Sequence, residues 1–251
     1  MISGISSNTV ALRPLVLECP ADAVHTTSLP GPGEAPLVCL VRVNTSLPDL
    51  PGLAACLSPD EHRRAGRLRR EQERHQFLIG RGWLRILLGR FLRLPADRIP
   101  LGSGRYGKPC VCAPHNGEPL QFNLAHSGDV ILLAFHQYYE LGVDVEEIAD
   151  SHEWTAVARQ MFTPEQIRNW SHLTPAQWTE AFFVAWTRRE AELKAIGTGF
   201  AAEEVVSTDA SLRLFDLELP LGYAGAVAVR PMPEKVFSVA TNAKKNPLVH
   251  C

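Results

Sequence analysis

Lysine is scarce in this chain, with five in 251 residues against twenty arginines. A formal net charge of -2 leaves no basic excess for holding nucleic acid by bulk charge, and there is no acidic tail. No stretch approaches the roughly 20 consecutive apolar residues that a membrane-spanning helix needs. The apolar run from Val10 to Leu17 is broken by Arg13 and Pro14, which argues against a secretion signal. The six cysteines (Cys19, Cys39, Cys56, Cys110, Cys112 and Cys251) are scattered. Only Cys110 and Cys112 lie close together, with no second such pair to complete a zinc site. Reduced thiols in a cytoplasmic protein are the expectation. With 45% hydrophobic and 21% charged residues, the composition is that of a globular chain, long enough for one large or two small domains.

The cationic charge is concentrated. Ten of the arginines fall between Arg63 and Arg93. Ser58-Pro59-Asp60-Glu61 predicts a helix start, with serine as N-cap, proline at the first helical position and two acids in the first turn. Phe77, Leu84, Leu88 and Phe91 then give the following helix an apolar stripe. Arg63, Arg64, Arg67, Arg69, Arg70 and Arg74 form a cationic cluster on the other face. A guanidinium fork suits phosphate, but the solvated face of a long helix gives the same pattern. Upstream, residues 1–36 are rich in Ser, Thr, Pro and Gly and predict a flexible N-terminal extension, followed by a buried strand from Val38 to Val43.

The chemistry points to Glu140–Glu146. Leu141, Val143 and Val145 alternate with Gly142, Asp144 and Glu146, the period of a strand. Asp144 and Glu146 therefore face the same way, an unfavourable pairing of like charges unless a cation lies between them. A third carboxylate, Glu190, lies in a predicted helix from Ala181 to Ile196, where it shares a face with Lys194. Three carboxylates and a lysine fit Mg²⁺ held against phosphates, although Glu and Lys at this spacing are equally a solvated helix pair. Gly197 and Gly199 mark the helix stop. Gln121–Leu124 and Val130–Phe135 predict strands flanking a polar turn that carries His126, which on pattern alone reads as an ordinary surface residue. The glycine-rich turn from Gly102 to Pro109 contains Arg105 and Lys108 but lacks the spacing of a Walker phosphate loop. Ser211–Leu217, Gly222–Arg230 and Val236–Ala240 predict closing antiparallel strands.

A shift of 105 residues lays Ser58-Pro59-Asp60 on Thr163-Pro164-Glu165 and Phe77-Leu78 on Phe182-Phe183. Each half thus holds a capped helical segment and several strands. This predicts an α+β fold of two similar subdomains, 37–139 and 140–251.

Taken together, these pieces resemble the 4'-phosphopantetheinyl transferases of the surfactin-synthetase-activating (Sfp-type) family. Four blocks carry the resemblance: Arg105-Tyr106-Gly107-Lys108-Pro109, Phe122–Gly128, Gly142–Glu146, and Trp186–Lys194 followed by Ala195–Phe200. The resemblance implies two subdomains in pseudo-twofold arrangement, each a small antiparallel sheet with a packed helix, and coenzyme A bound between them. It implies transfer of the phosphopantetheine arm of CoA to a serine of an apo acyl or peptidyl carrier protein, with release of adenosine 3',5'-bisphosphate. Asp144, Glu146 and Glu190 would hold Mg²⁺ against the pyrophosphate, and Lys194 would neutralise charge there. Arg64, Arg105, Lys108 and His126 would contact the pyrophosphate or the 3'-phosphate. Glu190 or a metal-bound water would accept the serine proton. The implied protein is a cytoplasmic monomer that binds neither nucleic acid nor membrane; the alternative is another Mg²⁺-dependent enzyme acting on a nucleotide pyrophosphate. Three positions depart from the family pattern: Arg189 and Glu61 stand where lysine is usual, and Ala125 where serine is usual.

Overall fold

The fold rests on two helices of equal length, Glu71–Leu92 and Pro175–Ile196, of 22 residues each. Shifting the first by the sequence repeat places it within one residue of the second. Both end on a left-handed C-cap, Arg93 (φ 55°) and Gly197 (φ 74°). The helix starts predicted at Ser58 and Thr163 are full capping boxes, closed by Glu61 and Gln166, and Thr174 makes a third with Gln177. In each, two otherwise unpaired backbone N–H groups are satisfied reciprocally.

The computed structural model describes residues 14–19, 28–104, 107–112, 120–149, 153–197 and 210–232. The strands are β1 (Leu15–Cys19), β2 (Leu37–Arg42), β3 (Leu101–Ser103), β4 (Pro109–Val111), β5 (Gln121–Ser127), β6 (Val130–His136), β7 (Tyr139–Glu147), β8 (Arg213–Asp216) and β9 (Tyr223–Pro231). The helices are α1 (Val43–Ser46), α2 (Leu50–Ala55), α3 (Pro59–Arg67), α4 (Glu71–Leu92), α5 (Glu153–Met161), α6 (Pro164–Trp170) and α7 (Pro175–Ile196). One sheet has the order β1-β2-β6-β5, a second β7-β9-β8, and β3 with β4 forms a separate ribbon.

All pairings are antiparallel except one. β1 lies parallel to β2, with Leu17 opposite Cys39. Residues 15–19 belong to the stretch expected to be a flexible extension, yet Cys19 is 2% exposed in the core. The surrounding Ser, Thr, Pro and Gly obscure a five-residue strand whose backbone pairs with β2. The strand expected at Val236–Ala240 lies outside the described residues.

The layers follow from the alternation of the strands. One face of the first sheet, through Cys39, Val41, Ile131, Leu133 and Phe135, packs on Ile79, Trp83, Leu84 and Leu87 of α4. Its opposite face, through Val38, Leu40, Leu132 and Ala134, meets Leu141, Val143, Val145, Val227 and Val229 of the second sheet. β6 is buried along its whole length as a result, which is why its sequence is a continuous apolar run rather than an alternation. The far side of the second sheet takes α7, with Ala191 and Ala195 against Ala226 and Ala228. The order through the molecule is helix, sheet, sheet, helix. Beside this stack, Trp154, Phe162, Trp170 and Trp178 of the α5–α6–α7 region gather around Phe182. Among the described residues no helix is long and apolar enough to cross a membrane.

Candidate active site

Small side chains let α7 lie directly on the second sheet. A Cβ at Gly142 would fall inside contact distance of the backbone at Ala191, Lys194 and Ala195, so only glycine admits the helix at that point. Two residues along β7, on the same face, comes Asp144. The polar face read from the sequence is therefore the face covered by the helix, and this brings Glu190 and Lys194 over the strand.

Asp144 is 4% exposed. Lys194 Nζ donates to its Oδ1 at 2.5 Å, while Asp144 Oδ2 and Glu190 Oε1 are buried with no hydrogen-bond partner. Burial pushes the Asp144 carboxyl up to about 7; Lys194 opposes that, and the charges of Glu146 and Glu190 add to it. Glu190 is also raised, first by burial and then, against the pull of Lys194, by Glu146. The three carboxylates predicted to act together thus share one electrostatic neighbourhood. Glu146 accepts a hydrogen bond from Ser127 Oγ at 2.9 Å.

Among the described residues, no three His, Cys, Asp or Glu side chains already stand at metal-holding separation. Instead the Lys194 ammonium takes up the charge of Asp144. Two buried carboxylate oxygens without partners are nonetheless costly to keep, and hard oxygen donors are what Mg²⁺ selects. The residues present fit that ion.

The other predicted contacts divide. His126 lies exposed at the end of β5, next to Ser127; partial desolvation and then the Lys194 charge push its imidazole below the ordinary value. Arg64 is exposed, its guanidinium carbon 5.2 Å from the centre of the Phe77 ring, with Arg81 at 5.7 Å from the same ring. Arg105 lies outside the described residues. Lys108 Nζ donates to the carbonyls of Leu141 at 2.7 Å and Lys194 at 2.9 Å. Burial lowers it to about 8 against the support of Glu140. Its charge thus ties the β3–β4 ribbon to both β7 and the last turn of α7, where a cation also complements the helix dipole. Lys108→Met is expected to cost roughly 1–3 kcal/mol by stranding two buried carbonyls, read as a lower midpoint in urea.

Two of the departures acquire structural reasons. Glu61 accepts from Arg85 Nε at 2.6 Å, and Arg85, 2% exposed, also donates to the carbonyls of Ala96 and Ile99. The acid replacing the usual lysine is therefore the counter-ion of a buried arginine. Glu61→Gln is expected to lose about 2 kcal/mol by thermal or denaturant melting, because the arginine keeps a hydrogen bond but loses its opposite charge. Ala125 packs in the apolar layer between the sheets and presents nothing to a ligand. Ser127, which could have replaced the missing hydroxyl, is held by Glu146 and Glu147.

Sequence reasoning gave no role to several residues that brace this region. Asn123 Oδ1 accepts from Val143 N at 2.9 Å, Gln76 Nε2 donates to Gly128 O at 2.7 Å, and Asp129 N donates to Tyr223 Oη at 2.9 Å. Asn123 lies within a recognised block, but no periodicity reveals that its amide crosses to another sheet.

Residues 140–240 match the sequence model of the 4'-phosphopantetheinyl transferase superfamily, and residues 44–138 match that of the 4'-phosphopantetheinyl transferase N-terminal region. The 4'-phosphopantetheinyl transferase HetI of Nostoc sp. is 33% identical over 67% of this chain and 72% of its own. A Synechocystis sp. protein carrying the same family name is 34% identical over 62% of this chain. The match spans 63% of that relative, just under two thirds of its length. The 4'-phosphopantetheinyl transferase of Bacillus subtilis is 26% identical over 68% of this chain and 75% of its own.

Proposed function

Because the chain belongs to the 4'-phosphopantetheinyl transferase family, we propose that it moves the phosphopantetheine arm of coenzyme A onto a serine of an apo acyl or peptidyl carrier protein. The observation that carries this reading is the pair of partnerless buried oxygens, Asp144 Oδ2 and Glu190 Oε1, beside Glu146 and Lys194. Asp144, Glu146 and Glu190 would hold Mg²⁺, which when bound supplies charge neutralisation on the pyrophosphate oxygens.

The remaining work falls to the chain's own groups. The serine oxygen attacks the pantetheine-side phosphorus, the bond to the bridging oxygen breaks, and adenosine 3',5'-bisphosphate leaves with that oxygen. Such transfers need positioning and charge neutralisation more than covalent help. Lys194, already at Asp144 Oδ1, supplies a mobile ammonium for the leaving pyrophosphate oxygens. Glu190, whose proton affinity is raised by burial, is the acceptor for the serine proton. His126 and Arg64, both exposed cations or potential donors, are the contacts assigned to the phosphates of CoA, and Arg105 is assigned with them from the sequence.

The test is mass analysis of apo carrier proteins of the fatty-acid, polyketide and peptide types after incubation with CoA and Mg²⁺. Gain of one phosphopantetheine on the carrier serine is expected. Consumption of CoA with no carrier modified would overturn the transfer and favour a pyrophosphate hydrolase.

A further inference from the structure

β5 and β7 belong to different sheets, yet they run side by side at the junction of the two halves, and side chains replace the missing ladder between them. Asn123 and Ser127, four residues apart on β5, accept the backbone N–H groups of Val143 and Glu147, four apart on β7, at 2.9 and 3.0 Å. An unpaired strand edge is thereby satisfied without joining the sheets. The two contacts are not equivalent. Asn123 meets backbone alone, whereas Ser127 also reaches Glu146.

A serine hydroxyl has one proton and two lone pairs. With Glu147 N–H donating into Oγ, the hydroxyl's own proton is free to go to Glu146 Oε2, 2.9 Å away. The direction of the hydrogen bond is fixed by the backbone beside it. Ser127 is itself held: the next residue, Gly128 (φ 53°), has its carbonyl bound by Gln76, and a Cβ there would collide with Glu147 and the Tyr223 hydroxyl. Asp129 N donates to that same hydroxyl. The β5–β6 turn is thus gripped by α4 on one side and by the second subdomain on the other.

We propose that Ser127 is a positioning residue for Glu146, so that a hydroxyl from the N-terminal subdomain sets the aim of a cation-binding carboxylate in the C-terminal one. This rests on the reading of Glu146 as a ligand. Partners that orient a ligating carboxylate are typically worth about 10–100-fold in metal affinity. Asn123, by contrast, is part of the seam and not of the site.

The experiment is Mn²⁺ titration followed by electron paramagnetic resonance, together with thermal melting, on the full chain and three variants. Ser127→Ala is expected to weaken Mn²⁺ binding about tenfold, and Ser127→Thr, which keeps the hydroxyl, to restore it to within about threefold. Asn123→Ala is expected to melt several degrees lower while binding Mn²⁺ as the wild type does. Equal affinity in wild type and Ser127→Ala overturns the proposal, as does an equal loss in Asn123→Ala, which would make the effect one of general loosening. If Ser127→Ala fails to fold, Ser127→Cys, similar in size and a weaker donor, is measured in its place. A wild-type protein that binds no Mn²⁺ sinks the ligand reading itself. In that event metal-free crystal structures decide the remaining point: the Glu146 carboxylate keeps a single position in wild type and loses it in Ser127→Ala if the proposal holds, and an unchanged carboxylate overturns it.

Discussion

Asp144→Asn is expected to make the metal-free protein more stable and the enzyme inactive. The carboxyl, pushed up to about 7 from an ordinary 3.8, binds its proton more tightly in the folded chain than in the unfolded one. Stability from this group is therefore complete below pH 4, declines as pH rises toward 7, and stays low above it. About three pKa units correspond to on the order of 4 kcal/mol, an upper bound because structural relaxation and entering water reduce the cost. The amide keeps an oxygen for Lys194 and removes the buried charge. At pH 8 the variant is expected to melt roughly 5–10 °C higher than metal-free wild type, with the gap closing by pH 4. Carrier modification is expected to fall by at least about 1000-fold, a barrier increase of roughly 4 kcal/mol. Glu190→Gln is expected to abolish transfer equally. Full activity in either variant, or a stability gap that does not depend on pH, would refute the assignment of these acids.

The second large effect concerns no charged group. Gly142→Ala adds one methyl group where β7 and α7 touch backbone to backbone. Overpacking of flexible side chains can be relieved by rotamer changes, but here the obstructing atoms are those of Ala191, Lys194 and Ala195 in the helix itself. The helix must move away, uncovering Ala226 and Ala228 and lifting Glu190 and Lys194 from the strand. A loss above about 4 kcal/mol is expected, in the range reserved for steric failures of this kind, seen as a melting point more than about 10 °C lower or as insoluble expression. A variant that melts within about 2 °C of wild type would show that the close approach is not required.

Much of this arrangement was legible in the residues. The capping boxes at Ser58 and Thr163 are local chemistry, complete within four residues, and they appear where the sequence puts them. The alternation from Glu140 to Glu146 correctly separates the face carrying Leu141, Val143 and Val145 from the face carrying Asp144 and Glu146, because side-chain direction in a strand has period two whatever lies opposite. What covers each face is not local information. Asp144 reads as exposed from its own strand and is buried because small residues on three elements admit α7. Lys108 was harder still: a long flexible cation suits a phosphate or a carbonyl alike, and nothing near it in sequence shows that the carbonyls of Leu141 and Lys194 lie within its reach. The short strand from Leu15 to Cys19 was hidden for a related reason, since five residues among breakers carry little signal until β2 is there to pair with them.

The face that the first sheet turns toward the second also governs how the chain must be made. Val38, Leu40, Leu132 and Ala134 find their cover only when β7 and β9 have been synthesised and folded against them, and β9 is the last described strand to leave the ribosome. Throughout that interval the nascent N-terminal half displays an uncovered greasy sheet. Until the second sheet arrives, that face is open to contact with other unfinished chains.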